Sequence, residues 1–340
     1  MPQKVCIVGS GNWGSAIARI VGVNAREHAE FDDKVDMWVF EEQVDGKNLT
    51  EIINTTHVNV KYLPGATLPD NIVAVPDLKQ AAAGASVLIF VLPHQFLGRI
   101  MPQIKEAGVA PDCKAISLIK GIDFDDKGVI LISDIIRKGL DMDVSVLMGA
   151  NVANEVAKDQ FCETTIGYKI PENGALLQKL FHTSCFRVRT VQDTVGVELC
   201  GALKNIVAIG AGFCDGLGYG GNTKAAIIRI GLLEMQAFCR RYYDGIMTDT
   251  FFESCGVADL ITTCFGGRNR KCAEAFAKTG DSWDKIEAEL LNGQKLQGTL
   301  TAKEVHEVLV RTDAVAEFPL FNMIYRIAFE GVPVAKIVEH

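Results

Sequence analysis

Val5-Cys6-Ile7-Val8-Gly9-Ser10-Gly11-Asn12-Trp13-Gly14-Ser15-Ala16-Ile17-Ala18 is the stretch whose reading decides the fold. An apolar run is followed at once by Gly-x-Gly-x-x-Gly, and then by small and apolar residues at helical spacing. Strand, glycine turn and helix in that order are the opening of a dinucleotide-binding βαβ unit. Gly9 permits the tight turn, Gly11 lets the backbone approach a pyrophosphate, and Gly14 lets helix pack closely on strand. The free N–H groups and positive dipole end of the new helix face the phosphates. Ser10, Asn12 and Trp13 complete the turn and join the three glycines in the expected cofactor set. A glycine-rich turn without a ligand is the alternative, and the strand before and helix after weigh against it.

Outward from this turn, short β-branched runs alternate with helical patterns to about Val191, the signature of a mainly parallel sheet. The expected strands are Lys4–Val8, Val35–Phe40, Val73–Val75, Ser86–Val91, Ala115–Leu118 and Ser145–Met148. Two more runs, Glu163–Gly167 and Phe186–Val191, either continue the sheet or form an antiparallel extension. After Gln192 helical periodicity takes over. The expected architecture is therefore α/β: a Rossmann-type, doubly wound parallel sheet over residues 1–191 and an all-helical domain over 192–340, packed across a cleft. Within the second domain one apolar helix is expected from Thr194 to Gly210. Six glycines between Gly210 and Gly221 then predict an irregular loop, and Asn222 is expected to cap the next helix.

The 340 residues suit two domains, and 48% apolar with 22% charged residues is ordinary globular composition. A net charge of -8 argues against nucleic acid or an anionic membrane as partner, so an anionic ligand must be met by local cations. Ten cysteines are scattered without a CxxC pair or a Cys/His cluster at zinc spacing, which predicts buried thiols in a reducing compartment and no metal. No stretch is read as a secretory leader or membrane span, and a cytoplasmic enzyme is the expected class.

The end of the second strand, Met37 to Glu42, offers a carboxylate that can accept from a ribose hydroxyl and repel a 2′-phosphate, favouring NAD over NADP. Which residue meets the ribose is open, and Phe40 can instead pack on the adenine. Phe96, beyond the fourth strand, either walls the cofactor or anchors the following helix. Lys120 ends the run Ala115 to Ile119 and so points into the ligand crevice at the carboxyl edge of the sheet. Lys204 shares a helical face with Val197, Cys200, Val207 and Ala208. An ammonium there must be paired or lose basicity, and it reads either as a proton donor to a carbonyl oxygen or as a salt-bridged structural lysine. Asp259, inside Val257 to Ile261, is its candidate partner or else a helix cap. Thr262 to Lys271 gathers cations and hydroxyls at a glycine turn, where Arg268 suits a phosphate or carboxylate, while Arg270 and Lys271 read as a solvated helix start. Asn292 to Gly298 is a candidate closing loop.

These runs, together with Ser117 to Gly121, Met148 to Asn151, Cys200 to Asn205, Gly256 to Leu260 and Gly266 to Arg270, resemble the cytosolic NAD-dependent glycerol-3-phosphate dehydrogenases over nearly the whole chain. The resemblance implies reversible hydride transfer between NADH and dihydroxyacetone phosphate, a phosphorylated three-carbon substrate, by a homodimer. It implies Lys204 as proton donor, Lys120 as a carbonyl-polarising substrate contact, and Asn205, Asp259 and Thr263 as groups that hold substrate and orient Lys204. Arg268 and Asn269 would take the phosphate, with Arg268 also reaching the cofactor. Ala153 would give backbone to the cofactor, and Lys295 and Gln297 would lie in a mobile loop over it. Two rivals stand beside this: another two-domain Rossmann dehydrogenase acting on a hydroxy acid, and a catalytically silent NAD-sensing module.

Overall fold

The strands, in chain order, are β1 Gln3–Val8, β2 Phe31–Trp38, β3 Gln43–Val44, β4 Lys47–Asn48, β5 Ile72–Val75 and β6 Val87–Phe90. They continue with β7 Lys114–Ser117, β8 Ile122–Asp125, β9 Gly128–Leu131, β10 Val144–Met148, β11 Cys162–Gly167 and β12 Phe186–Val191. The structure, a computed structural model, describes residues 1–125 and 128–340, the side chain of Asp125 excepted. Eight strands form one sheet in the order β12-β11-β10-β7-β6-β1-β2-β5. All eight apolar runs expected as strands lie in it. β10 and β11 are antiparallel and β11 and β12 parallel, so the last two runs continue the sheet across one antiparallel junction.

Alternation along β1 explains the two covered faces. Val5 and Ile7 pack with Ile17, Ile20 and Val21 of the helix Asn12–Glu27. Cys6 and Val8 turn to the other face, against Leu97, Ile100, Ile104, Ile132 and Ile136. β2 begins earlier and stops earlier than expected, at Trp38, so Phe40 lies beyond the strand.

The chain divides into two compact units, residues 1–121 with 132–194 and residues 122–131 with 195–340. This division differs from the expected boundary at 191/192 in two respects. The switch falls after Thr194, and the hairpin of β8 and β9 leaves the first unit for the second. The second unit is therefore helical with one short antiparallel hairpin, to which the Tyr243 hydroxyl donates at the Val129 carbonyl (3.0 Å). Local sequence could not show this, because the polar alternation of Ile122-Asp123-Phe124 says nothing about which core receives it.

A further correction concerns the glycines after Gly210. The helix Thr194–Gly216 runs straight through Gly210 and Gly212. A Cβ on Gly212 would overlap the Arg270 carbonyl oxygen and lie 2.6 Å from the Ala273 Cβ, and one on Gly216 would lie 2.5 Å from the Ala277 Cβ. These glycines are a seam for the helix Arg268–Thr279 rather than a break. By length and composition Thr194–Gly216 could cross a bilayer, yet its apolar window is wholly buried in the protein. The next helix is Gly221–Tyr242 with Gly220 at its N-cap, so Asn222 does not cap it.

Candidate active site

In the first unit, β1 is hydrogen-bonded to both β2 and β6, and the strand order reverses between β1 and β6. That reversal is where open parallel sheets bind ligands, at the carboxyl ends of the strands. Gly9 follows β1 with a φ of +123°, and a Cβ on it would sit 2.6 Å from the Val91 carbonyl oxygen, just past β6. A Cβ on Gly14 would overlap the Gly9 carbonyl, whereas one on Gly11 would meet nothing within 4 Å. Gly11 is also the N-cap of the helix Asn12–Glu27 and offers no side chain to cap the helix's opening N–H groups. Open space at Gly11 in front of uncapped donors fits the pyrophosphate of a dinucleotide.

The turn's side chains serve mostly to hold it. Ser10 is buried, and its carbonyl accepts from the Ser15 hydroxyl (3.2 Å) and the Asn59 amide (2.8 Å). The Asn12 amide donates to the Tyr62 carbonyl (2.8 Å) and Asn154 Oδ1 (2.9 Å), and the Trp13 ring lies 6.3 Å from that of Phe186.

The carboxylates beyond β2 are likewise engaged. Glu41 accepts from the Thr50 hydroxyl and backbone N–H, and Glu42 from the Lys61 ammonium and the Tyr62 hydroxyl, both at 2.6 Å. Hydrogen bonds from Lys61 and Tyr62 hold the Glu42 carboxyl below its usual range, so it keeps its charge. Phe40 is 64% exposed and Phe96 47%. It is Leu97 and Ile100, not Phe96, that bury the following helix, Leu97–Ala107. Lys120 extends beyond β7, where its ammonium donates to the Gly149 carbonyl just past β10 (2.9 Å). Ala153 opens the short helix Ala153–Val156 beyond the same turn.

In the second unit the Lys204 ammonium meets Asp259 Oδ1 at 2.5 Å, with both side chains almost fully buried (6% and 4% exposed). Lys204 projects from the helix Thr194–Gly216, and Asp259 opens the helix Asp259–Gly266 after a π-helical turn, Ser254–Ala258. Of the two ways to bury an ammonium, this chain uses pairing. The Thr263 hydroxyl donates to the Asp259 carbonyl (2.6 Å) one turn on. Next to Lys204, Asn205 Oδ1 accepts from the Asn269 amide (2.9 Å), and Asn269 Oδ1 accepts from the Gly298 N–H (2.8 Å). Burial pushes the Cys264 thiol up to about 12 despite the fields of Lys224 and Lys204, so no thiolate forms beside the ion pair.

Arg268 is exposed at the start of its helix and donates to Gln294 Oε1 (3.2 Å). With Asn269, Leu291, Gln294, Lys295, Leu296 and Gln297 it lines a polar pocket. Gln297 opens the helix Gln297–Arg311, and Lys295 is paired with Asp284 (2.7 Å) and Glu287 (2.9 Å). Those two carboxylates hold the Lys295 ammonium above its usual range. The reading of Arg270 as solvated is corrected: it is half-buried and bonded to Asp215 (3.1 Å) and Glu274 (2.5 Å). Asp215 also pairs with the buried Lys224 (2.7 Å), whose ammonium stands 4.2 Å from the centre of the Phe265 ring. Sequence reasoning passed over Asp215, Lys224 and Asn59. A buried-lysine search on the face of Gly221–Tyr242 could have found Lys224, but nothing local distinguishes Asn59 from a loop asparagine.

A glycine turn at the switch point of a parallel sheet, with a separate helical unit that buries a lysine–aspartate pair, defines a two-unit Rossmann dehydrogenase. Comparison with known proteins narrows the class. The family model for the NAD-dependent glycerol-3-phosphate dehydrogenase N-terminus matches residues 4–173, and that for its C-terminus matches residues 193–339. The cytoplasmic glycerol-3-phosphate dehydrogenase [NAD(+)] of Rattus norvegicus is 60% identical over 337 residues, 99% of this chain and 96% of the relative. The solved glycerol-3-phosphate dehydrogenase of Saccharomyces cerevisiae superposes with a TM-score of 0.96 at 46% identity, covering 100% of this chain and 99% of that one. That of Plasmodium falciparum gives 0.95 at 41%, covering 99% and 94%. The chain belongs to the NAD-dependent glycerol-3-phosphate dehydrogenase family.

Proposed function

We propose that this protein catalyses the reversible reduction of dihydroxyacetone phosphate to sn-glycerol 3-phosphate, and that the buried Lys204–Asp259 pair is its acid–base centre. Bound NADH supplies the hydride that becomes the C–H bond at C2. The ammonium of Lys204 donates its proton to the carbonyl oxygen as negative charge builds there, and solvent later reprotonates the amine. Proton transfer is downhill because an alkoxide is far more basic than a lysine amine. Asp259 keeps the lysine charged and aimed, and with Thr263 it fixes the helix turn that carries the carboxylate. Lys120 is assigned to polarise the carbonyl, its direction set by the Gly149 oxygen.

Arg268 and Asn269 are assigned to the substrate phosphate, at the N-terminus of a 12-residue helix. Asn269 is already oriented by Asn205 and Gly298, and an oriented amide loses little freedom when it binds. Gly9, Gly11 and Gly14, with the N–H groups of Ser10, Asn12 and Trp13, are assigned to the pyrophosphate. Phe40, Phe96, Ala153, Lys295 and Gln297 are assigned to the remainder of NAD, and Arg268 to both ligands.

The observation that carries the proposal is the ion pair itself, since two charges this deeply buried cost several kcal/mol each unless used or compensated. NADH oxidation with dihydroxyacetone phosphate, set beside unphosphorylated dihydroxyacetone, tests it. Turnover of the phosphate ester alone is expected; equal turnover of both ketones overturns the role of Arg268 and Asn269. The reading extends to a homodimer in the cytoplasm, the compartment in the rat relative's name. Sedimentation as a monomer at micromolar concentration overturns the dimer.

A further inference from the structure

Behind the glycine turn stands a side chain that touches no ligand in the proposed reaction. Asn59 is completely buried, and its amide N–H groups donate to the Ser10 carbonyl (2.8 Å) and to the Ser15 hydroxyl (2.9 Å). Its carbonyl accepts from the Tyr62 N–H (3.2 Å). Ser15 Oγ closes a triangle by donating to the same Ser10 oxygen (3.2 Å). The segment that carries Asn59 is itself fixed at both ends. His57 caps the helix Leu49–Thr56 in the left-handed region (φ 55°), and Val58 bridges Thr67. Beyond Asn59, the Tyr62 carbonyl receives the Asn12 amide and the Tyr62 hydroxyl donates to Glu42.

We propose that Asn59 is a positioning residue for the dinucleotide: by holding the Ser10 carbonyl inward it keeps the N–H groups from Gly11 to Gly14 facing the pyrophosphate. The physical case is one of peptide orientation. The Ser10 carbonyl and the Gly11 N–H belong to one planar peptide, so fixing the oxygen on the protein side directs the hydrogen to the opposite side. Two donors converge on that oxygen, and the amide that supplies one is desolvated, so its loss cannot be made good by water. The same amide joins the turn to the Tyr62 segment, which reaches back to Glu42 beyond β2. One buried side chain thereby sets the turn relative to the end of the second strand, the two places a dinucleotide must reach together. The inference rests on the proposed use of the Gly9–Gly14 turn for NAD.

Direct binding by calorimetry, with NADH, ADP-ribose and adenosine as probes, separates this role from plain stability. Wild-type protein is expected to bind NADH and ADP-ribose. Asn59→Ala should weaken both by about tenfold, and Asn59→Asp by more, since a carboxylate would repel both the Ser10 oxygen and a nearby pyrophosphate. Adenosine, which lacks the pyrophosphate, should bind the variants and wild type alike. In steady state the loss should appear in the KM for NADH, with the KM for dihydroxyacetone phosphate unchanged. Ser15→Ala, which spares Asn59 but removes one of its partners, should shift NADH affinity in the same direction by about threefold, and it covers the case in which the Asn59 variants do not fold. Unchanged NADH and ADP-ribose affinity in folded Asn59→Ala, or in Ser15→Ala should the former not fold, overturns the proposal. Equal weakening of adenosine also overturns it. Failure of wild type to bind NADH would instead overturn the cofactor site itself.

Discussion

At the scale of single residues, the chemistry depends on charges that the fold has removed from water. Lys204→Ala is expected to lower kcat by about 10²–10⁴-fold, the usual contribution of a positioned acid, while NADH affinity stays within about twofold. Single-turnover rates and NADH titration check the two halves. Asp259→Ala is expected to destabilise the fold by about 3–5 kcal/mol because it strands a buried ammonium, and Lys204→Ala, which strands the buried carboxylate, by a similar amount. Denaturant unfolding measures that cost. Arg268→Ala removes an exposed guanidinium assigned to both ligands, so the KM for dihydroxyacetone phosphate should rise about 10–100-fold while NADH affinity falls much less. Equal losses in both would count against the assignment.

How far residues were legible in the sequence follows from how local their reasons are. Gly9, Gly11 and Gly14 declare themselves because strand, turn and helix are contiguous in the chain. Lys204 and Asp259 stand out as charges in greasy runs, and their 2.5 Å contact supplies the partner that burial demands. Asn59 was invisible because the groups that give it meaning, Ser10 and Ser15, lie more than forty positions away. Glu41 and Glu42 are visible as acids beyond the end of β2, but their engagement by Thr50, Lys61 and Tyr62 depends on a loop whose course no local pattern records.

At the scale of elements, the helix Thr194–Gly216 shows why glycine counts mislead. Glycine inside a helix costs about 1 kcal/mol relative to alanine, which is small against the gain from close packing of two long helices. Gly212→Ala therefore sets two effects against each other. Helix propensity favours alanine by about 1 kcal/mol, but the new methyl meets the Arg270 backbone, which cannot rotate away, and overpacking costs about 1–3 kcal/mol. Net destabilisation is expected in a melting experiment, along with a raised KM for dihydroxyacetone phosphate, because Arg270 shares the first turn of its helix with Arg268 and Asn269.

The helix Pro319–Phe329 offers a pH-dependent test. Glu234 is buried and accepts from the N–H groups of Leu320 and Phe321, both at 2.8 Å. Burial outweighs those two bonds and pushes its carboxyl from 4.5 up to about 7. The folded state then holds this proton more tightly than the unfolded chain, so rising pH between about 4.5 and 7 removes stability through this group. Burial pushes the Glu304 carboxyl to about 7 as well, so melting temperature against pH for Glu234→Gln should show a shallower decline, and an unchanged decline in the variant would rule Glu234 out as a source.

At the scale of the whole molecule, two cores and ten cysteines outside any disulfide set the behaviour. Eight cysteines are buried and two, Cys162 and Cys185, are partly exposed, so thiol reagents should label native protein at those two positions first. Burial also holds the Cys113 thiol at about 12 and Cys214 at about 11, well away from the thiolate form. NADH at a hundredfold excess over its Kd should stabilise the protein by about 2.7 kcal/mol. For units of this size that is a rise in melting temperature of about 5–10 °C, readable by calorimetry, and no rise would contradict cofactor binding to the folded chain.

The hairpin of residues 122–131 has a consequence for biosynthesis. It leaves the ribosome among sequence belonging to the first unit, yet the core that receives it is not translated until residues 195–340 follow. At about 5–20 residues per second, that orphaned ribbon waits of the order of ten seconds or more for its host. Its two exposed edges during that interval make it the stretch on which a nascent-chain chaperone has most to act.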